Sequence, residues 1–158
     1  MISPQLKKQL QLELTEIDIC SSNIQKYIFK LQTANSVEER EILTKAISLD
    51  LHGFYTGAER IFEQIAKKID RTSPPDSARW HQQLLQQMAA KIPHLREPVI
   101  SQSNFANFDE LRGFRHVMRS NYAHKLDTDK VVNLALKIPS CYQFLMRDLK
   151  QFELSVTD

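Results

Sequence analysis

The sequence predicts an all-α, single-domain bundle of about five main helices. Only three glycines and six prolines punctuate 158 residues, too few for the tight turns of a β-rich fold. Apolar residues recur at spacings of three, four and seven over long stretches, the period of a helix with one buried face. No strand signal longer than four residues competes with them. At this length one domain, residues 1–158, can enclose a real core. The composition, 42% hydrophobic and 25% charged, is ordinary for a soluble globular chain.

The first helix is expected from Gln5 to about Gln32, an amphipathic segment within residues 1–35. Leu6, Leu10, Leu14, Ile17, Ile24, Ile28 and Leu31 form one apolar stripe, with Lys7, Lys8, Glu13, Glu16, Lys26 and Lys30 opposite. That stripe wants an antiparallel neighbour or a partner chain, and packing within the chain is the expected one of the two. Thr33–Ser36 is a break. Ser36 and Glu39 match a capping box, in which the serine oxygen takes a free backbone N–H and the glutamate reaches back.

The second helix is expected from Val37 to about Asp70. Its apolar set runs through Ile42, Leu43, Ile47, Leu49, Leu51, Phe54, Ala58, Ile61, Phe62, Ile65 and Ile69. This is too broad a face for a surface helix, so it reads as the central one. Gly53 and Gly57 lie one turn apart on it, each costing about 1 kcal/mol against alanine, which points to close approach of another helix. Tyr55, Glu59 and Glu63 share a face, and one of these acids is a candidate to support a basic site. His52 reads as a histidine satisfied within the helix rather than a ligand.

Adjacent prolines in Arg71–Asp76 make a turn. A third helix is expected from about Ser77 to Ala90, capped by Asp76 or Ser77, with Trp80, Leu84, Leu85 and Met88 inward. Trp80 and His81 also suit a base-stacking platform, but a lone tryptophan at helical spacing is more often core. Residues 91–107 hold Pro93 and Pro98 and little periodicity, an irregular stretch pinned by Val99, Ile100 and Phe105. The fourth helix is then expected to be capped in the segment Asn107-Phe-Asp-Glu110. The last begins around Leu126–Asp129, with Asp127 or Thr128 as cap, and Pro139 should kink it or split it in two. The tail after Leu154 is expected to fray.

The fourth helix carries the chemistry. Leu111–Leu126 (LRGFRHVMRSNYAHKL) holds Arg112, Arg115, His116, Arg119, His124 and Lys125 and no acidic residue. Leu111, Phe114, Val117 and Met118 supply its buried side, with Tyr122 a further candidate, and Gly113 allows close approach. Net charge is only +2, so any nucleic-acid site must be local, and this is the place for it. Arginine stabilises phosphate charge, and histidine titrates where proton transfer near neutral pH needs it. Together they can cut RNA without a metal, because the substrate's own 2′-hydroxyl is the nucleophile. Arg119 and His124 are five residues apart, about 140° around an ideal helix. To converge on one phosphate they need the helix to end or distort near 124, or a second chain to complete the site.

These residues resemble the HEPN (higher-eukaryote and prokaryote nucleotide-binding) nuclease signature, an Arg-x4-His element on a late helix of a small all-helical chain. Leu51–Ala66 (LHGFYTGAERIFEQIA) and Phe114–His124 (FRHVMRSNYAH) look like its HepT-like branch, the toxin half of HEPN/minimal-nucleotidyltransferase pairs. The resemblance covers about residues 40–150. It implies a homodimer whose motif arginines and histidines meet in an interface cleft, and an endoribonuclease with tRNA among its candidate substrates. By it, Arg119 would bind the scissile phosphate and His124 would be the acid/base group. Arg112, Arg115, His116 and Lys125 would hold RNA, with Ser120, Asn121, Tyr122, Glu59 and Glu63 in support. It implies no cofactor and no metal.

The resemblance also implies a cognate nucleotidyltransferase antitoxin, which attaches AMP to a tyrosine two residues after the histidine. Here that place is Leu126, although Tyr122 lies inside the motif. A module that binds RNA or the nucleotidyltransferase without cutting is therefore the alternative, and a purely structural helical protein is a third.

Cys20 and Cys141 sit in helical patterns without a CxxC or Cys/His cluster, against a structural zinc site. Reduced cytosolic thiols are expected, with a disulfide between them left open. The stretch MISPQLKKQLQLELTEID has no long apolar run, so neither a signal peptide nor a membrane span is expected and the chain should be cytoplasmic.

Overall fold

Leu6, Leu10, Leu14 and Ile17 bury one edge of the first helix, as their spacing requires, and the helix they build runs from Pro4 to Leu31 (α1). The computed structural model describes residues 1–156. Within them α2 spans Val37–Ile65 and closes in a wider π-turn at Ala66–Asp70. The remaining helices are α3 (Trp80–Ala89), α4 (Gln102–Ser120), α5 (Thr128–Ala135) and α6 (Ile138–Ser155). A 3-10 turn at Ala123–Lys125 lies between α4 and α5. The fold is all-α, and the last expected helix is the one that divides, into α5 and α6. Pro139 occupies the first turn of α6, where its missing N–H costs nothing. Of the tail, Ser155 still belongs to α6, while residues 157–158 lie outside the described residues.

The α1–α2 pair is the largest helix contact and is antiparallel. Cys20 faces Gly53, Ile17 faces Gly57 and Glu13 faces Arg60. A Cβ at residue 57 would lie 2.7 Å from Ile17 Cγ1, and one at 53 would lie 3.1 Å from Cys20 Sγ. The two glycines therefore permit close approach, as their cost suggests. Gly113 does not, because a Cβ there would meet nothing within 4 Å. Ser36 caps α2 by accepting the Glu39 N–H at 3.0 Å, while the Glu39 carboxylate accepts the N–H of Asn35.

α2 is the central helix, touching α1, α3, α4 and α5. Phe108 of α4 stacks on Phe54 and meets Phe62 edge-on, so α4 is locked across two turns of α2. Ile42 and Leu49, expected inside, lie on the exposed face of α2 instead.

Two helix starts depart from expectation. α3 begins at Trp80 rather than Ser77, and Ser77 closes a turn by accepting the Arg79 N–H. α4 begins five residues before Asn107. Ser101 is its cap, held in turn because Asp148 accepts from both its N–H and its hydroxyl. Asn104, fully buried, donates to the Cys141 carbonyl and ties this first turn to α6. Asp109 and Glu110 therefore sit mid-helix, paired with Arg112 and Lys137, and do not serve the helix dipole.

The connection from α3 to α4, residues 90–101, is the longest between helices among the described residues, and it is tightly held. Val99 and Ile100 are buried, and both backbone N–H groups reach the Met88 carbonyl. Asp127 caps α5 by accepting from Asp129 and Lys130. Both cysteines are free thiols. Among the described residues no helix is long and apolar enough to cross a membrane.

Candidate functional site

The basic helix ends early, and this shapes the site. α4 stops at Ser120, Asn121 is extended, and the chain then enters the 3-10 turn. The Asn121 side chain donates to the Val117 carbonyl at 2.9 Å, occupying one of the carbonyls that the helix end leaves open. Arg119 is therefore the last basic residue on the helix, and His124 stands beyond it on a separate turn.

Arg112, Arg115, His116 and Arg119 lie on one side of α4 and form one wall of a cleft of about 320 Å³. The other wall is the start of α3 and the residues before it: Ser77, Ala78, Arg79, His81 and Gln82. Among the described residues none that lines it is acidic. Arg112 is braced by Asp109 at 2.8 Å. Among the described residues, neither Arg115 nor Arg119 pairs with a carboxylate, so both guanidinium groups remain available to a ligand. Four arginines converging without acids make a place for a phosphate-rich polyanion, since arginine's planar fork matches phosphate oxygens.

His124 and Lys125 do not line this cleft. The His124 ring stacks on Tyr122 at 5.7 Å, and Lys125 Nζ lies 6.0 Å over the same tyrosine. Tyr122, a candidate for the buried side, is 72% exposed, and Val117 is exposed as well. Ser120 and Asn121 lie on the bridge between cleft and turn. One chain thus holds the arginines in one group and the histidine turn in another.

Of the two candidate acids, Glu59 contacts a residue of the cleft wall and Glu63 does not. Glu63 pairs with Lys67 one turn away on the surface. Glu59 Oε2 accepts the Tyr55 hydroxyl at 2.8 Å and lies 2.6 Å from His81 Nδ1. Burial, and then the adjacent Glu59 charge, push the Tyr55 phenol far up, so it stays a donor.

His52 is not satisfied as expected. Its Nδ1 is enclosed without a hydrogen-bond partner among the described residues. Burial lowers its pKa, and the charges of Arg115 and Arg119 lower it further, with Glu59 opposing. From the sequence, His52 reads as a satisfied helix residue and His81 as part of a candidate base-stacking pair with Trp80, and neither is tied to the basic helix. The signal that joins them to the basic helix is distance across the bundle, which no spacing along the chain encodes.

No group of three or more His, Cys, Asp or Glu side chains among the described residues could hold a metal ion. The chain matches no curated protein and no solved structure. A family model described as HepT-like protein matches residues 46–156, from within α2 to the end of the described chain, leaving α1 outside the match. With an all-helical bundle and a cationic cleft on its late helix, the chain belongs to the HepT-like family of HEPN-domain proteins.

Proposed function

We propose that the protein is a metal-independent endoribonuclease of the toxin–antitoxin kind. The observation that carries this reading is the acid-free cleft, with Arg119 at the end of its basic wall and His124 just beyond. The cleft holds the RNA backbone through Arg112, Arg115 and His116, with Lys125 outside it. Arg119 neutralises the charge gathering on the scissile phosphate. The 2′-oxygen attacks phosphorus and the P–O5′ bond breaks. His124 moves protons between the 2′-hydroxyl and the leaving 5′-oxygen. The products are a 2′,3′-cyclic phosphate and a 5′-hydroxyl end.

A homodimer completes the site in this reading. His124 lies outside the cleft of its own chain, and the exposed Val117 and Tyr122 beside the motif offer apolar surface for a second copy. The test is cleavage of total tRNA and total RNA by purified protein in EDTA. Wild type should cut, and Arg119→Ala and His124→Ala should not. Equal cutting by wild type and both variants would refute these roles.

The second reading is a module that binds RNA, or a nucleotidyltransferase partner, without cutting. Leu126, two residues after His124, favours it, as does the packing of His124 on Tyr122 away from the arginines. Induced expression separates the two readings: a nuclease toxin arrests growth and His124→Ala relieves the arrest.

A further inference from the structure

We propose that His81 is a second proton-transfer residue of the cleft, oriented by Glu59 so that its Nε2 takes the proton from the attacking 2′-hydroxyl. This rests on the nuclease reading above and divides its proton transfer, giving the base's part to His81 and leaving His124 the acid's.

His81 lies on the first turn of α3, on the cleft wall facing the arginines of α4. Its Nδ1 is 2.6 Å from Glu59 Oε2, and the same oxygen accepts the Tyr55 hydroxyl at 2.8 Å. A carboxylate can only accept. The shared oxygen therefore places the ring proton on Nδ1 and leaves the lone pair of the neutral imidazole on Nε2. An acid–histidine pair of this kind fixes tautomer and ring orientation, the two properties a general base needs before its pKa matters. The Glu59 side chain is 12% exposed and that of His81 28%. The pair is thus shielded from bulk water at its acid end and open at its imidazole end.

A purely structural tie between α2 and α3 would need no opening to the cleft. His81 has one, opposite the arginines that would bind the scissile phosphate. His124, on the exposed turn, is then free to act as the acid. In the resulting step the O2′–P bond forms and the P–O5′ bond breaks. His81 Nε2 receives the 2′-hydroxyl proton, and His124 of the same or a second copy donates one to the 5′-oxygen. Glu59 is a positioning residue, and Tyr55 holds it in place.

The test compares two RNA substrates at saturating and limiting concentrations: an ordinary oligonucleotide, and a nucleoside 3′-(4-nitrophenyl phosphate), whose leaving group departs without protonation. His81→Gln should lower kcat by about 10²–10⁴-fold on both, with KM changed by less than about two-fold. Glu59→Gln should follow in the same direction more weakly. His124→Ala should fail on the oligonucleotide and recover on the nitrophenyl substrate. Nitrogen-15 shifts of the wild-type His81 ring, which need no variant to fold, should show Nδ1 protonated and Nε2 bare. Wild-type kcat in a folded His81→Gln protein, or the opposite tautomer, overturns the proposal while leaving the nuclease reading intact. No cleavage of either substrate by wild type is a different result, which removes the nuclease reading and this base with it.

Discussion

Arg96 and Asp70 form an ion pair with no solvent exposure on either side chain. The guanidinium donates to both carboxylate oxygens, at 2.6 and 2.7 Å. Its remaining donors reach the carbonyls of Gln87, Ala90 and Glu97, and Gln87 Nε2 also donates to Asp70. The pair binds the end of the π-turn that closes α2 to the end of α3 and to the segment that leads into α4. Asp70→Ala should cost about 3–5 kcal/mol, because it leaves a buried charge uncompensated. Asp70→Ala with Arg96→Met should recover part of that loss. Urea denaturation of the two proteins checks both.

Gly57 and Gly113 should respond to alanine with opposite signs. At 57 the new methyl meets Ile17 Cγ1 at 2.7 Å, and Ile17 is fully buried and cannot retreat. Overpacking of about 1–3 kcal/mol then outweighs the helix-propensity gain of about 1 kcal/mol. At 113 nothing lies within 4 Å, so Gly113→Ala should stabilise by up to about 1 kcal/mol. Thermal melting of the two variants reads the signs directly.

His52 should make the fold sensitive to mild acid. Its folded pKa lies below the ordinary 6.5 through burial and the charges of Arg115 and Arg119. As pH falls through 6.5 the unfolded chain therefore takes up the proton first, and the native state loses stability. Above that pH the group contributes no slope. The stability difference between pH 7.5 and pH 5.5 should be smaller in His52→Gln than in wild type, and an unchanged difference would contradict the assignment.

Neither thiol should react readily in the native protein. Burial, and then Asp50, push Cys20 up to about 11, and burial, and then Asp148, push Cys141 up to about 12. Only the thiolate is the nucleophile. A disulfide-exchange reagent at pH 7.5 should label the folded protein slowly and the urea-unfolded protein at both cysteines. Rapid labelling of one site in native buffer would locate an opening of the helix pair.

RNA binding, measured with an uncleavable 2′-deoxy strand, should weaken steeply with salt. Each phosphate neutralised in a single strand contributes about 0.7 to the slope of log K against log salt. Arg115→Gln should reduce the slope by about that amount. A variant with unchanged affinity and slope would place the nucleic acid elsewhere.

The helices and their inner faces were legible in the sequence because their causes are local. Leu6, Leu10 and Leu14 repeat at the helical period, Ser36 and Asp127 cap within one turn, and Gly53 and Gly57 announce a close neighbour without naming it. Arg112, Arg115, His116 and Arg119 share one side of α4 by spacing alone. The tertiary structure decided the rest. α4 begins at Gln102 because Asp148, 47 residues further on, holds its Ser101 cap. Asn104 binds Cys141 from the same distant helix. Glu59 reaches the cleft wall and Glu63 does not, because only one of two similar acids on α2 meets a histidine on α3. Arg96 found Asp70 across 26 residues. Periodicity and capping act over a few residues and leave a mark in the sequence. Pairings between helices depend on which faces the packed core brings together, and only the folded chain brings them within bonding distance.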